Sequence, residues 1–175
     1  MQVFFRHILI AAGLLLLMGT GMAQQGFMGG IGPTVETDQG LWGANGRFYY
    51  GPNPHICFGP EVSFFPYQEV DSEYEMRITE LNFNGHYVFE ATHKLGIYPL
   101  AGVNYTIEEE RLIEMTSEQE EVKEFGLNYG FGAHYNLNHF FAFVEFKGIA
   151  GQLADQFVTV GLVFILSKST VEPEH

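Results

Sequence analysis

Cationic charge, cysteine and long apolar runs are all scarce in this chain, and each shortage removes a class of protein. Eight Lys and Arg stand against 21 Asp and Glu in 175 residues. Such a surface repels phosphate backbones, so nucleic acid is not expected as a partner. Cys57 is the only thiol, which excludes an internal disulfide and a cysteine metal cluster and leaves a buried spectator as its expected role. The one apolar run, Ile8 to Met18, is shorter than the roughly 20 residues that a membrane helix needs. It lies behind Arg6 and ahead of the small residues Gly21 and Ala23. That order is the pattern of a secretory signal peptide over residues 1–23, cleaved before Gln24. No cysteine follows the run, so a lipid anchor is not expected. Without Arg6 the remaining chain holds seven cations against 21 acids, a net charge of −14.

What the chain does contain is alternation. From Phe125 to Leu137 the large residues Phe125, Leu127, Tyr129, Phe131, Tyr135 and Leu137 fall on one face, opposite Gly126, Asn128, Gly130, Gly132, His134 and Asn136. A period of two over thirteen residues specifies a long β-strand. Further segments repeat it, predicting strands at about 26–36, 41–50, 55–66, 76–89, 95–108, 122–137, 140–149 and 156–167. Short turns at Gly51 to Pro54, Glu90 to Lys94 and Asn138-His139 alternate with longer polar links at Glu36 to Gly40, Tyr67 to Glu75, Glu108 to Val122 and Ala150 to Gln156. Loops sorted by length to opposite ends fit a membrane-spanning up-and-down barrel. The expected fold is therefore all-β, an eight-stranded antiparallel transmembrane β-barrel over residues 24–168, with a C-terminal tail at 169–175.

Alternation alone leaves the inside undecided. A soluble lipocalin-like barrel would turn its apolar set inward around a hydrophobic ligand and carry charge outside. Here the polar face is mostly Gly, Asn, Thr and His, and the apolar set is too bulky for a narrow eight-stranded interior. The apolar face is therefore expected outward, against lipid. Trp42, Tyr49, Tyr50, Tyr67, Tyr87, Tyr105 and Tyr135 are expected in interfacial girdles. Pro33, Pro60 and Pro99 oppose the strand assignments, because each removes a ladder donor. They are expected at bulges, strand starts or displaced boundaries.

The segments YPLAGVNYT at Tyr98 to Thr106, GLNYGFGAHYNL at Gly126 to Leu137, FAFVEFKG at Phe141 to Gly148 and QFVTVGLVFIL at Gln156 to Leu166 carry a resemblance. The chain resembles the outer-membrane β-barrel domain family, the small eight-stranded porin-like or OmpA-like membrane proteins common in Bacteroidota. The resemblance implies residence in the outer membrane of a Gram-negative bacterium after signal cleavage. It also implies contact with outer-membrane lipids and lipopolysaccharide, and delivery by the barrel-insertion machinery. Thr159, Gly161, Phe164 and Leu166 are similar to that machinery's signal, although the chain ends its last strand in Leu166 rather than an aromatic and continues with SKSTVEPEH.

Inside the barrel, Arg47, His86 and His134 should share one level, with Glu61 and Glu145 slightly higher and Lys147 and Glu80 above them. Buried charge requires pairing, so a network centred on Arg47, Glu61 and Glu145 is expected, with Lys147 as second cation. Its expected role is to plug and stiffen the lumen. His86 and His134 lack ligand spacing, so neither a metal nor a cofactor is assigned. Ser63 faces inward, and no serine-histidine pair lies on the lipid face, so a lipid-modifying barrel enzyme is not expected. A narrow ion channel is the remaining alternative. The eight glutamates from Glu108 to Glu124 read as a solvated loop, able to attract divalent cations or a basic partner that the sequence does not identify.

Overall fold

The computed structural model describes residues 25–113, 119–138, 140–153 and 155–169. The proposed signal peptide and residues 170–175 of the proposed tail lie outside them. The strands are β1 (Gln25–Glu36), β2 (Trp42–Asn53), β3 (Ile56–Glu69), β4 (Tyr74–Tyr87), β5 (Phe89–Glu90), β6 (Leu95–Leu112), β7 (Gln119–Asn136), β8 (Phe140–Ala150) and β9 (Gln156–Ser169). Consecutive strands pair antiparallel except β4 and β5, β4 pairs β6, and β1 pairs β9. The sheet therefore closes into an eight-stranded barrel, with β5 a two-residue continuation of β4 beyond Val88. Closure leaves no edge within the barrel wall, the condition for strands to cross a bilayer.

The facing follows the alternation. Ile31, Phe48, Phe64, Phe83, Val103, Leu127, Phe131, Val144, Val160 and Leu162 all point outward and are exposed. Between them on the same strands Asn45, Arg47, Glu61, Glu80, Asn82, Asn84, Asn104, Asn128, Glu145 and Lys147 point inward and are buried. An apolar wall around a polar interior is the reverse of a lipocalin-like barrel, and water would not tolerate it.

The interior is not filled by small residues alone. A Cβ at Gly132 would lie 2.5 Å from the Tyr98 ring, and one at Gly161 would lie 2.8 Å from the Phe143 ring. These glycines are seats, and the large side chain opposite each supplies the missing volume. Tyr49, expected in a girdle, is a third large residue inside, 3 % exposed. Trp42 and Tyr135 are exposed on the outside, whereas Tyr67 packs against Arg77 and Arg111 above the barrel.

All three mid-strand prolines sit in regular register rather than at bulges. The pairing of β1 with β9 skips from Ile31↔Leu162 to Thr34↔Thr159 around Pro33, and β2 with β3 skips from Arg47↔Glu61 to Tyr50↔Phe58 around Pro60. Around Pro99 the pairing skips from His86↔Leu100 to Phe89↔Ile97, where β4 gives way to β5. Each proline thus loses pairing to one neighbour and keeps it to the other, at Ala44, Phe83 and Phe131. An actual bulge follows Phe65, next to Pro66, where the Gln68 side chain replaces the ladder by bonding both the backbone nitrogen (3.0 Å) and the carbonyl (2.8 Å) of Trp42.

The two longest expected loops are largely strand. β4, β6 and β7 continue beyond the wall as a crest, in register from Glu75↔Arg111 and Arg77↔Glu109 to Glu109↔Glu121 and Arg111↔Gln119. Apolar alternation fades there, and ion pairs replace it. Arg111 holds Glu75 at 2.6 Å, Arg77 pairs with Glu109, and Tyr67 donates to Glu109 at 3.0 Å.

Candidate functional site: the filled lumen

Three layers occupy the barrel axis. Nearest the short turns lies a cavity of about 270 Å³, whose walls include Met28, Cys57, Val88, His134, Phe141 and Ile165 and whose floor includes Tyr49, His86, Tyr98 and Phe143. Above it the charged network spans the lumen. At the crest end Leu41, Phe65, Met76, Ile78, Ile149 and Phe157 form a buried apolar cluster.

The network is built on Arg47. Its two terminal nitrogens donate to the two oxygens of Glu145, each at 3.1 Å, and its Nε donates to Asn45 at 2.9 Å. Glu61 lies 3.5 Å from the same guanidinium, which rests 4.1 Å from the Phe143 ring centroid. A planar fork is the one cation that meets two carboxylates and an aromatic face together. Glu61 also accepts bonds from Tyr49, from Asn84 at 2.8 Å and from Asn45 at 3.3 Å. Glu145 takes a third bond from the Tyr98 hydroxyl at 3.0 Å.

Lys147 and Glu80 form a separate pair, at 3.0 and 3.2 Å to the two carboxylate oxygens. Asn104 joins Glu80 to Asn82, and Asn128 bridges Asn82 and Asn84 at 2.8 and 2.7 Å. This amide chain connects the Lys147 pair to Glu61 across four strands. Low dielectric strengthens such a network and makes the loss of a member costly, although Asn82 Nδ2 and Asn128 Oδ1 are buried in it without a partner.

The histidines divide. His86 joins the network's edge, 3.2 Å from the Tyr49 hydroxyl, 3.8 Å from Glu145 and 3.7 Å from Cys57 Sγ. His134 does not join it. Its ring stacks 6.0 Å from Tyr98 and meets Phe141 edge-on at 5.0 Å, over Gly96. Ser63 is buried and accepts from Asn45 at 3.0 Å, bound into the amide chain. Thr159 faces inward to Thr34 at 2.8 Å, Gly161 seats Phe143, and Phe164 and Leu166 face outward.

Sequence reasoning named the charges and missed their partners. Tyr98, Asn82, Asn84, Asn104 and Asn128 gave a signal only as inward positions, Asn45 and Tyr49 share the strand face of Arg47, and nothing local marks Tyr49, Tyr98, Asn45, Asn84 and Asn104 as hydrogen-bonded to Glu61, Glu80 or Glu145. It also missed a group at the crest end, where the carboxylates of Glu36, Asp38 and Asp155 lie within 4.8 Å of one another. Both Glu36 oxygens already accept backbone N–H groups, from Asp38 and Gln39. Burial, followed by Glu36, pushes the Asp155 carboxyl up to about 6, and burial with Asp155, Glu110 and Glu36 pushes Glu108 up to about 7.

No protein-family model matches the sequence, and no curated protein matches it. The fold is nonetheless that of solved proteins. The N-terminal β-barrel domain of Pseudomonas aeruginosa OprF superposes with a TM-score of 0.61 at 17% identity, covering 82% of this chain and 99% of that one. Ail, the attachment invasion locus protein of Yersinia pestis, gives 0.59 at 12%, covering 83% and 99%. Neisserial surface protein A gives 0.55 at 11%, covering 79% and 94%. The chain has the closed eight-stranded barrel fold of these outer-membrane proteins.

Proposed function

We propose that this chain is a non-enzymatic outer-membrane protein of a Gram-negative bacterium, delivered by residues 1–23 and inserted through the signal at Thr159, Gly161, Phe164 and Leu166. It belongs among the small OmpA-like barrels of Bacteroidota, held in outer-membrane lipid and lipopolysaccharide. Its lumen is plugged, and its role is envelope-structural or carried by contacts of the outer crest. One observation carries the reading: the apolar face wraps the whole outer wall while the ionised groups close on one another inside. That arrangement is stable only with lipid outside.

Two features support the plug. The buried apolar cluster from Leu41 to Phe157 lies across the crest end, and the Arg47 and Lys147 pairs occupy the middle. Both fill space along the barrel axis, and no solute transport is expected. Urea-washed membrane fractions test the location. Retention of the protein in the membrane pellet is expected, and recovery in the soluble periplasm would contradict the reading.

A further inference from the structure

The wall closes, but the crest does not. β7 pairs β6 along its whole length, up to Arg111↔Gln119, whereas β8 first meets β7 at Leu127↔Ala150. Beyond that point Gly151 turns off beside Gly126 and the Phe125 carbonyl. From Gln119 to Glu124 no described residue pairs with the second edge of β7. A free strand edge is a row of unmet donors and acceptors, and proteins normally shorten it, cover it or charge it.

Here it is charged with one sign. Glu120 and Glu121 are exposed and Glu124 is half-buried, against Lys123 alone, whose Nζ already lies 2.5 Å from Glu121. On the other side of β7 the acids continue, because Glu109 stands opposite Glu121 and Glu110 opposite Glu120. Like charges directly opposite on paired strands are destabilising. The β4 side of the crest is neutralised by Arg77 and Arg111, whereas on β7 Lys123 answers Glu121 alone among the described residues. The imbalance therefore sits beside the free edge. Two copies of the chain meeting there would bring together two segments with three acids and one lysine each, which disfavours self-assembly.

We infer that the free edge of β7, Gln119 to Glu124, is a docking site for an extended basic segment of a partner protein, added as a further strand. Main-chain hydrogen bonds to the edge supply the pairing, and Lys or Arg on alternate positions meet Glu120 and Glu124, which share one face of β7. The inference rests on the surface-contact role proposed above and names its site and the chemistry of its partner.

The test uses the full chain recovered from the membrane fraction and placed in zwitterionic bilayers, so that its outcome is independent of the location assay. Three eight-residue peptides are titrated: alternating Lys-Thr, alternating Lys-Pro of the same charge, in which proline removes every second donor and holds φ in the polyproline II region, and alternating Glu-Thr. The Lys-Thr peptide is expected to bind at least tenfold more tightly than the other two. It is also expected to slow amide exchange within Gln119 to Glu124. The variant with Glu120→Gln and Glu124→Gln is expected to lose at least tenfold in affinity while keeping the gel mobility of the folded barrel. Equal binding of Lys-Thr and Lys-Pro without amide protection would overturn the edge and leave only charge attraction by the crest. Absence of binding by both basic peptides would overturn the docking site altogether, with the barrel assignment untouched.

Discussion

At the scale of single residues, Arg47 is the group on which most of the interior depends. It faces Glu145 through two bonds and Glu61 through a third contact, all with side chains 2 % exposed or less. Truncation leaves two carboxylates without their cation in a low-dielectric interior. Arg47→Ala is therefore expected to destabilise the folded barrel by about 3–5 kcal/mol. Urea unfolding in bilayers or micelles measures it, and Glu145→Gln added to Arg47→Ala should recover part of the loss. A change near zero would mean that water reaches these groups. Asp155 provides a prediction of opposite sign. Its folded pKa is raised from 3.8 to about 6 by burial and then by Glu36, so the folded state favours the protonated form. Stability from this group is complete below about pH 4 and is lost as pH rises through about 6. Asp155→Asn should therefore stabilise the crest end at pH 8 and change little at pH 4, as read from unfolding midpoints at the two pH values. A stabilisation independent of pH would remove the electrostatic explanation.

At the scale of elements, the sequence made the wall readable and hid the crest. Strands such as β7 and β9 declare themselves because lipid on one side and a polar lumen on the other force a strict alternation over Phe125 to Leu137 and Val158 to Leu166. Above the bilayer both faces meet water or acid, so the alternation ends and Glu108 to Leu112 looks like a loop. The strands continue there because Arg111 and Arg77 hold β4 to β6 and Tyr67 lies under both guanidiniums. Tyr67→Ala is accordingly expected to speed amide exchange in Glu108 to Leu112 severalfold and to leave the barrel wall unchanged. Unaltered exchange would show that the ladder alone suffices. The network was legible in part for a related reason. Charges at inward positions must pair, which brings Arg47 to Glu61 and Glu145, but pairing across a barrel depends on stagger and rotamer. Those decide that Tyr49 and Tyr98 reach Glu61 and Glu145 and that His134 leaves the charges for Tyr98 and Phe141. The prolines misled because a strand in a closed sheet has two ladders, and Pro33, Pro60 and Pro99 each give up pairing on one side only.

At the scale of the whole molecule, the account separates two openings with different fates. The end with the short turns holds a cavity of about 270 Å³, whereas the crest end holds the buried apolar cluster of Leu41, Phe65, Met76, Ile78, Ile149 and Phe157. Planar bilayers containing the protein should stay silent, and Arg47→Ala should stay silent too, because the apolar cluster remains. Discrete conductance that grows in Arg47→Ala would make the salt bridges a gate and the lumen a path. The central claim is that an apolar-walled, closed barrel exists as one cooperative unit in lipid. Heat-modifiable migration in detergent gels tests it most directly, since a closed sheet resists the detergent until heated. The unheated, folded protein is predicted to run at a mobility distinct from the boiled sample. Coincident bands from protein extracted intact from membranes would contradict the account.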